Sequence, residues 1–276
     1  MSTQHAGRDW PIIDAHCHLR QPGLTAEDLI EMMDEAGIDQ AVVFPSAFCW
    51  SLPSKDNYYC TNDYIAEVQH KYPDRLIGFA MVNPRHRGCK ELGMPNLAVN
   101  EFERCIKELG LKGLKIHPEQ HYFSIETLID SELMASLVRL QRETHTKIPI
   151  ISHGMTSMGT IPDQFGRLAS KYPDVPIIIA HAAGYQSLSP PISKELARAN
   201  RNLFADTAMA TIDDAYLINT ARTIGADRVI FGSDHTNRAQ KNSYGNFLYI
   251  IERAFPDMEE RKRILGGNIA EILGYE

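Results

Sequence analysis

The chain has 276 residues, of which 43% are hydrophobic and 23% are charged, and its formal net charge is −7 at pH 7. These values are ordinary for a globular protein and exclude a disordered chain. The acidic charge argues against a nucleic-acid surface, which needs basic side chains against the phosphates. No apolar run reaches the roughly 18 residues of a membrane span, and the first residues lack a signal-peptide pattern. We therefore expect a cytoplasmic protein with a small-molecule partner, no nucleic acid and no membrane, and we leave a homo-oligomer open.

Short apolar runs alternate along the chain with segments of helical periodicity, which is typical of βα units around a parallel sheet. The eight predicted strands are Ile12–Ala15, Ala41–Phe44, Leu76–Val82, Gly113–His117, Ile148–Ser152, Val175–Ala180, Leu203–Asp206 and Val229–Gly232. Eight parallel strands close a barrel. We predict one α/β domain, residues 1–276, folded as a (β/α)8 TIM barrel.

The segments between the strands carry helix signals. In Thr25–Gly37 the apolar residues fall three or four positions apart, Thr25 suits the N-cap, and Gly37 suits the left-handed position after the helix. The other predicted helices are Asn62–Tyr72, Leu97–Leu109, Glu126–Arg142, Pro162–Tyr172, Lys194–Ala199, Asp213–Ile224 and Tyr244–Phe255. The segment Pro45–Asn57, with Phe48 and Trp50, is interpreted either as a pocket lid or as a surface loop.

The first strand runs into two histidines separated by one residue, His16 and His18. Side chains at i and i+2 of a strand leave the same face about 7 Å apart, so two imidazoles can bind one metal ion at roughly 2.1 Å. The chain holds eleven histidines, so such a pair also arises by chance. The pair alone leaves a metal site and two unrelated histidines equally open.

Polar residues at the ends of the other predicted strands favour the metal site, because active sites of such barrels lie at the C-terminal ends of the strands. This position selects His16, His18, Lys115, His117, His153, His181 and Asp234. Two of them have ordinary alternatives. Asp234 could cap a turn after Gly232 and Ser233, and His181 could bond the backbone of a tight loop.

Six motifs occur in order along the chain: Asp14-Ala15-His16-Cys17-His18, Gly113-Leu114-Lys115-Ile116-His117-Pro118, Ile151-Ser152-His153-Gly154, Ile179-Ala180-His181-Ala182-Ala183-Gly184, Phe231-Gly232-Ser233-Asp234 and Leu265-Gly266-Gly267-Asn268-Ile269-Ala270. With them the chain resembles the amidohydrolase superfamily, and within it the amidohydrolase-2 branch related to aminocarboxymuconate semialdehyde decarboxylase. The resemblance covers nearly the whole chain. It implies one divalent metal ion, zinc in the first place and manganese as the alternative, held by His16, His18, His153 and Asp234. It also implies that His181 lies beside the metal as an acid/base or substrate-orienting group.

The chemistry of these residue types fits that implication. Three neutral imidazoles and one carboxylate leave a divalent ion positively charged, and a bound water then falls in pKa from 15.7 towards about 7. Asp234 can accept the proton of that water. Lys115 and His117 are interpreted as pocket residues that meet an anionic substrate group, with a carboxylated Lys115 bridging a second metal as the alternative. Arg20 and Arg238 have the same substrate role or are ordinary surface residues.

Three functions remain open at this point. We expect a metal-dependent hydrolase that attacks a small amide, ester or lactone with an activated water. The alternative is a lyase of the same branch, a non-oxidative decarboxylase of an aromatic or unsaturated carboxylate, because the two reactions use the same ligands. The third is a barrel that binds a metal or ligand without turnover. In hydrolysis Asp234 together with His181 would move the proton to the leaving group, and in decarboxylation His181 or Asp234 would supply the proton.

Overall fold

The computed structural model describes residues 8, 10–20, 23–46, 55–87, 95–154, 159–182, 192–208, 214–240 and 243–275, with the side chains of 55–60 and 243 outside that description. Eight parallel strands pair in chain order. They are β1 Ile13–Leu19, β2 Gln40–Pro45, β3 Leu76–Met81, β4 Gly113–Ile116, β5 Ile150–Ser152, β6 Ile177–Ile179, β7 Leu203–Asp206 and β8 Val229–Ile230. Each lies within or overlaps a strand predicted from the sequence. The chain is a (β/α)8 TIM barrel, as predicted.

Helices follow the strands and cover the outside of the barrel. Their bounds are α1 Ala26–Ala36, α2 Lys55–Lys71, α3 Leu97–Lys107, α4 Pro118–His121, α5 Glu132–Thr144, α6 Pro162–Lys171, α7 Lys194–Ala199, α8 Asp214–Ile224, α9 Ser243–Ala254, α10 Met258–Lys262 and α11 Asn268–Leu273. The predicted cap of the first helix is present, since the Thr25 side chain accepts a hydrogen bond from the Asp28 N–H at 3.2 Å and Gly37 has a φ of 71°. The proposed lid, with Phe48 and Trp50, lies largely outside the described residues.

Two predicted boundaries are wrong for local reasons. The prediction of one helix over Glu126–Arg142 fails because Asp130 has a φ of 60°, which ends a short 3-10 turn, and Ser131 then caps α5. The first strand extends to Leu19, so His16 and His18 lie inside it and not after it. β1 contains a register shift between Asp14 and Cys17, which is a bulge. A bulge re-aims side chains near the rim of a barrel.

The core has two layers. The inner layer fills the barrel with buried aliphatic and aromatic side chains, and Ile269 and Ile272 of α11 pack onto the same cluster. The outer layer joins the other face of the strands to the helices. Packed layers of branched side chains are usual inside TIM barrels, so the interior is solid and the chemistry is confined to the ends. No helix among the described residues is long and apolar enough to cross a membrane.

The barrel closes between its last and first strands at a seam with little regular ladder. Among the residues that the structure describes, the seam contains one parallel bridge, between Cys17 and His235, and three backbone hydrogen bonds. These run from Ala15 N to Phe231 O at 2.9 Å, from Asp234 N to His16 O at 2.9 Å and from His18 N to His235 O at 2.8 Å. At Gly232 a Cβ would lie 2.8 Å from the His16 Cβ. Glycine therefore permits the close approach of the two segments that carry candidate ligands.

Candidate active site

His16 and His18 point from one face of β1 into the C-terminal end of the barrel. Both are buried, with 0% and 8% of their surface exposed. Phe44 of β2 packs edge-on against both rings, with centroid distances of 5.0 Å to His16 and 4.6 Å to His18. The two-residue period of the strand and this shared aromatic wall fix the two imidazoles side by side.

Hydrogen bonds at the far side of each ring determine which nitrogen is free. The His16 Nδ1 lies 2.8 Å from Asp206 Oδ2, and the His18 Nδ1 lies 3.2 Å from the Pro45 carbonyl oxygen. A carbonyl and an ionised carboxylate only accept, so each Nδ1 carries the proton and donates. The two Nε2 atoms therefore present lone pairs to each other across 3.3 Å.

Asp234 completes a cluster of three acceptors. Its Oδ1 lies 3.5 Å from the Nε2 of His16 and 3.5 Å from the Nε2 of His18. We call these three atoms the acceptor triangle. Asp234 has a left-handed φ of 59°, a conformation that costs free energy in a non-glycine residue and concentrates at functional sites. The alternative of a simple turn residue is not supported, because the carboxylate points into the cluster.

The acceptor triangle fits a metal ion in spacing. Around a tetrahedral ion with ligands at roughly 2.1 Å, neighbouring ligand atoms lie about 3.4 Å apart. The three measured separations are 3.3, 3.5 and 3.5 Å. Three lone pairs held together without a proton between them repel each other, so a cation bound among them stabilises the arrangement. Among the described residues, the same three residues form one of two groups whose ligand atoms lie close enough to hold a metal.

The protonation states also fit a metal ion. Burial lowers the pKa of His16 well below its usual value, and the nearby Lys115 lowers it further. Burial likewise lowers the pKa of His18. Burial alone would raise the pKa of Asp234, but the neighbouring imidazoles of His18, His16 and His181 hold it well below its usual range. At neutral pH the donors are two neutral imidazoles and one carboxylate, which is a common zinc set.

Lys115 of β4 is 1% exposed and lies beside the triangle. Its Nζ is 3.0 Å from His16 Nε2 and 4.5 Å from the centre of the Phe44 ring. Burial lowers the pKa of Lys115 to about 8, although the charges of Asp206 and Asp234 oppose this shift. Near pH 7 the amine is an ammonium that can only donate, which independently requires an unprotonated His16 Nε2.

The remaining predicted histidines form a second group next to the triangle. His181 has a left-handed φ of 69°, and its Nδ1 contacts the Ala208 carbonyl oxygen. Its Nε2 lies 3.0 Å from His153 Nδ1, and His117 stacks on His153 with a centroid distance of 4.0 Å. Burial, the charge of His181 and that of Lys115 lower the pKa of His153 to about 2.

His153 is the implied ligand that the structure does not bring into the triangle. Its other ring nitrogen, Nε2, lies 3.3 Å from Glu119 Oε2. Both nitrogens of His153 are therefore engaged with His181 and Glu119. To ligate a metal the ring has to give up one of these contacts.

The two predicted arginines make contacts outside the acceptor triangle. The Arg238 guanidinium forms ion pairs with Asp28 at 2.6 Å and Glu31 at 2.8 Å, both on α1. These pairs fit the alternative of an ordinary surface arginine, and the substrate role of Arg238 stays a prediction. Arg20 is exposed, and its side chain packs across Gly23. No contact joins Arg20 to the triangle among the described residues.

Asp206 is a carboxylate of the site that was not predicted from the sequence, and it accepts from three donors. Asp206 is fully buried at the end of β7. Its Oδ2 holds His16, while its Oδ1 accepts from the backbone N–H of His181 at 2.7 Å and of Ala208 at 3.0 Å. Asp206 thus orients a candidate ligand and the loop of His181. The same strand-end position that selected the other residues also identifies Asp206, which the sequence pattern indicated only as the last residue of a strand.

A groove of about 1320 Å³ lies at the opposite end of the barrel. It is lined by segments 145–147, 172–176, 201–202 and 227–228, which precede β5 to β8. Several of its charges are already paired, as in Lys171 with Asp130 at 3.0 Å and Arg201 with Asp227 at 2.9 Å. In TIM barrels this face carries stability and not catalysis.

The comparison with protein families decides the membership of the chain. Residues 55–275 match the family model described as Amidohydrolase (Amidohydro_2). The chain belongs to the amidohydrolase family. This confirms the resemblance seen in the sequence motifs, and it makes the chain an enzyme of this superfamily.

Among curated proteins, a γ-resorcylate decarboxylase from Polaromonas sp. (strain JS666 / ATCC BAA-500) is 31% identical over 116 residues. That alignment covers 40% of this chain and 31% of the relative, so the match spans about a third of the relative's length.

Among solved structures, 5-carboxyvanillate decarboxylase from Sphingomonas paucimobilis is similar with a TM-score of 0.70 and 16% identity, over 97% of this chain and 100% of that one. Dihydroxybenzoic acid decarboxylase from Polaromonas sp. JS666, with bound manganese and the inhibitor 2-nitroresorcinol, has a TM-score of 0.63 and 16% identity, over 96% of this chain and 97% of that one. At this identity the two structures support the barrel fold. All three relatives carry the name of a decarboxylase, so hydrolysis as the main expectation gains no support from them.

Proposed function

We propose that this amidohydrolase-family enzyme is a metal-dependent, non-oxidative decarboxylase of a small aromatic carboxylate. The observation that carries the proposal is the acceptor triangle. Its three ligand atoms lie at the separations expected around a metal ion, at the C-terminal end of the barrel where catalysis takes place in this fold. The names of the relatives support the choice of reaction, since γ-resorcylate, dihydroxybenzoic acid and 5-carboxyvanillate are all hydroxylated aromatic acids. Hydrolysis uses the same residues and is the alternative outcome of the test below.

The residues that would hold the ion are His16, His18 and Asp234, with His153 as the proposed fourth ligand. Zinc fits the nitrogen-rich donor set, and manganese is the ion in one structural relative. When bound, a divalent ion supplies positive charge that binds and orients the carboxylate and any neighbouring hydroxyl of the substrate. Lys115 adds an ammonium within the same buried pocket, and it attracts the anionic substrate more strongly there than in water.

Decarboxylation requires a proton at the ring carbon. The bond between this carbon and the carboxylate breaks, its electron pair returns to the ring, and carbon dioxide leaves. Asp234 is held ionised by its imidazole neighbours, so it has no proton of its own to give. His181 is therefore the proposed donor: its Nδ1–H is held by the Ala208 carbonyl oxygen, so the proton that reaches the ring carbon is one carried on Nε2 by the doubly protonated ring. Nε2 now lies 3.0 Å from His153 Nδ1 and has to turn from it to the substrate. His117, stacked on His153, forms part of the pocket wall beside it.

The proposal is tested by following atoms. Metal-loaded enzyme is incubated in water labelled with deuterium and, separately, with 18O, against 2,6-dihydroxybenzoate, 5-carboxyvanillate and a panel of esters, amides and lactones. We expect carbon dioxide release and one deuteron on the former carboxylate carbon, with about one divalent ion per chain.

The control is the Asp234→Asn variant, which should lose turnover on the same substrate. Incorporation of 18O into a product carboxylate, without carbon dioxide, would establish hydrolysis in place of decarboxylation. Two tightly bound ions per chain would instead favour the carboxylated Lys115 of a binuclear site.

A further inference from the structure

A second buried polar cluster lies on the other face of β1, directly behind the acceptor triangle. It consists of Asp14, Cys17, Ser233, His235 and Tyr244, and each of these residues has 0% of its surface exposed. We call it the seam cluster. Its residues come from β1, from the segment after β8 and from α9, so it spans the place where the barrel closes.

The seam cluster contains one atom each of oxygen, sulfur and nitrogen at metal-like separations, in Asp14, Cys17 and His235. The centre of that group is already filled. The Ser233 hydroxyl oxygen lies 2.5 Å from Asp14 Oδ2, is in contact with His235 Nδ1 and lies 3.7 Å from Cys17 Sγ. Burial raises the pKa of the Cys17 thiol well above its usual value, so the sulfur stays protonated. The cluster is a hydrogen-bond network and not a second metal site.

Asp14 is the acceptor on which this network converges. Its Oδ1 accepts from the backbone N–H of His16 at 3.0 Å and of Ser233 at 2.9 Å. Its Oδ2 accepts from the Ser233 hydroxyl at 2.5 Å, the Tyr244 hydroxyl at 2.7 Å and the Cys17 thiol at 3.0 Å. Five donors satisfy the buried carboxylate, which makes its position over-determined.

The two backbone bonds connect Asp14 to both halves of the acceptor triangle. One reaches His16 itself, and the other reaches Ser233, the residue before Asp234. Asp14 and Ser233 are 219 positions apart in the chain, and the β8 to β1 junction has only one ladder bridge among the described residues. The separation between His16 and Asp234 is therefore set by the direct backbone hydrogen bond from Asp234 N to His16 O at 2.9 Å and, from behind, by the carboxylate of Asp14, which holds both segments.

We propose that Asp14 is a positioning residue that holds His16 and Asp234 at metal-binding distance across the barrel seam. The inference rests on the proposed metal site, but it does not depend on which reaction the enzyme catalyses. Outer residues that orient ligands typically change metal affinity 10- to 100-fold when they are replaced. A residue needed only for folding would leave the affinity of the folded protein unchanged.

Glu101 provides a matched control. It is also a buried carboxylate, 4% exposed, and it also accepts from a cysteine thiol, from Cys105 at 3.4 Å. Its other donors are Asn62 at 2.8 Å and Arg104 at 2.8 Å. Glu101 lies on α3, outside the barrel, and within the described parts of the chain no contact joins it to the triangle. Glu101→Gln therefore perturbs a buried acid without perturbing the site.

The experiment measures the dissociation constant for Mn²⁺ and Zn²⁺ and the thermal midpoint of the metal-free protein for wild type, Asp14→Asn and Glu101→Gln. An asparagine at position 14 keeps one oxygen for the backbone donors but places an amino group against three O–H or S–H donors. We expect both variants to melt earlier than wild type. Only Asp14→Asn should bind the ions more weakly, by 10- to 100-fold, while Glu101→Gln stays within twofold of wild type.

Equal metal affinity in folded Asp14→Asn and in wild type would overturn the inference. If Asp14→Asn does not fold, Ser233→Ala takes its place, because it removes one donor to Asp14 and keeps the backbone bond. A threefold or larger loss of affinity in Ser233→Ala supports the positioning role, and an affinity within twofold of wild type overturns it. A wild-type chain that binds neither ion refutes the metal site and this inference together. An active metal site with a different reaction refutes only the proposed decarboxylation.

Discussion

Replacing Asp206 with asparagine should switch the proton of His16 from one ring nitrogen to the other. The asparagine oxygen is retained by the two backbone donors that now bind Oδ1, at 2.7 Å and 3.0 Å. The amino group then faces His16 Nδ1, which the carboxylate oxygen now approaches at 2.8 Å. Two N–H groups repel at this distance, so His16 has to move its proton to Nε2 or rotate.

The magnitude follows from the position of Nε2. A proton on this atom points towards His18 Nε2 at 3.3 Å and Lys115 Nζ at 3.0 Å, and it removes one of the three lone pairs of the triangle. We expect a 10- to 100-fold loss of metal affinity, or about 1.4 to 2.7 kcal/mol of binding free energy. The substitution should weaken metal binding without lowering the stability of the barrel, because asparagine keeps the shape of Asp206 and its hydrogen bonds to the backbone.

The assay is a competition titration of Zn²⁺ or Mn²⁺ against a chromophoric chelator, combined with NMR detection of the His16 tautomer in the metal-free protein. Asp227→Asn serves as the control, since it removes an exposed carboxylate that pairs with Arg201 at 2.9 Å. Asp206→Asn with the affinity of wild type and with its proton still on Nδ1 would refute the reasoning.

Two further predictions concern Asp234 and acid stability. Asp234→Asn should keep the fold, bind the metal more weakly and lose at least about 100-fold in turnover, because an amide is a weaker ligand than a carboxylate and cannot accept a proton from the substrate; unchanged turnover would remove Asp234 from the mechanism. His121 is 1% exposed, and burial together with the charge of His86 lowers its pKa to about 4. As the pH falls, the His121 imidazole is therefore protonated in the unfolded chain before it is protonated in the folded protein. The contribution of His121 to the free energy of unfolding is complete above pH 6.5 and decreases by about 3 kcal/mol as the pH falls towards 4. Chemical denaturation at several pH values gives the free energy of unfolding as a function of pH. Between pH 6.5 and 4 the slope of this function should be smaller in His121→Gln than in wild type, by the equivalent of up to one bound proton. An identical slope in the variant would contradict this source of acid sensitivity.

The barrel and the position of the site could be predicted from the sequence because both depend on local patterns. The apolar β-branched runs predicted all eight strands. Active-site residues of such barrels lie at the C-terminal ends of the strands, and this rule selected candidate residues at five of the eight. The details depend on contacts between distant segments. Arg238 was available for a substrate in the sequence, but the structure pairs it with Asp28, 210 positions away.

The orientation of individual rings was also beyond the sequence. His153 stands at a strand end like the other candidate ligands, yet its two nitrogens contact His181 and Glu119. A motif gives the residue type and the strand, but rotamers are chosen by neighbours from other strands. For the same reason Asp206 and Asp14 became significant only when the structure showed which donors they accept from.

The seam between β8 and β1 also determines when the site appears during folding. It joins residues from the two ends of the barrel, and contacts of such long sequence separation carry the largest loop-closure entropy, so we expect them to form late. The acceptor triangle then does not exist in partly folded chains that already contain most of the helices and strands. A bound ion stabilises contacts that are absent from the folding transition state, so it should lengthen the lifetime of the native enzyme while leaving its folding rate nearly unchanged. The bound ion would therefore slow the opening of the barrel between β8 and β1.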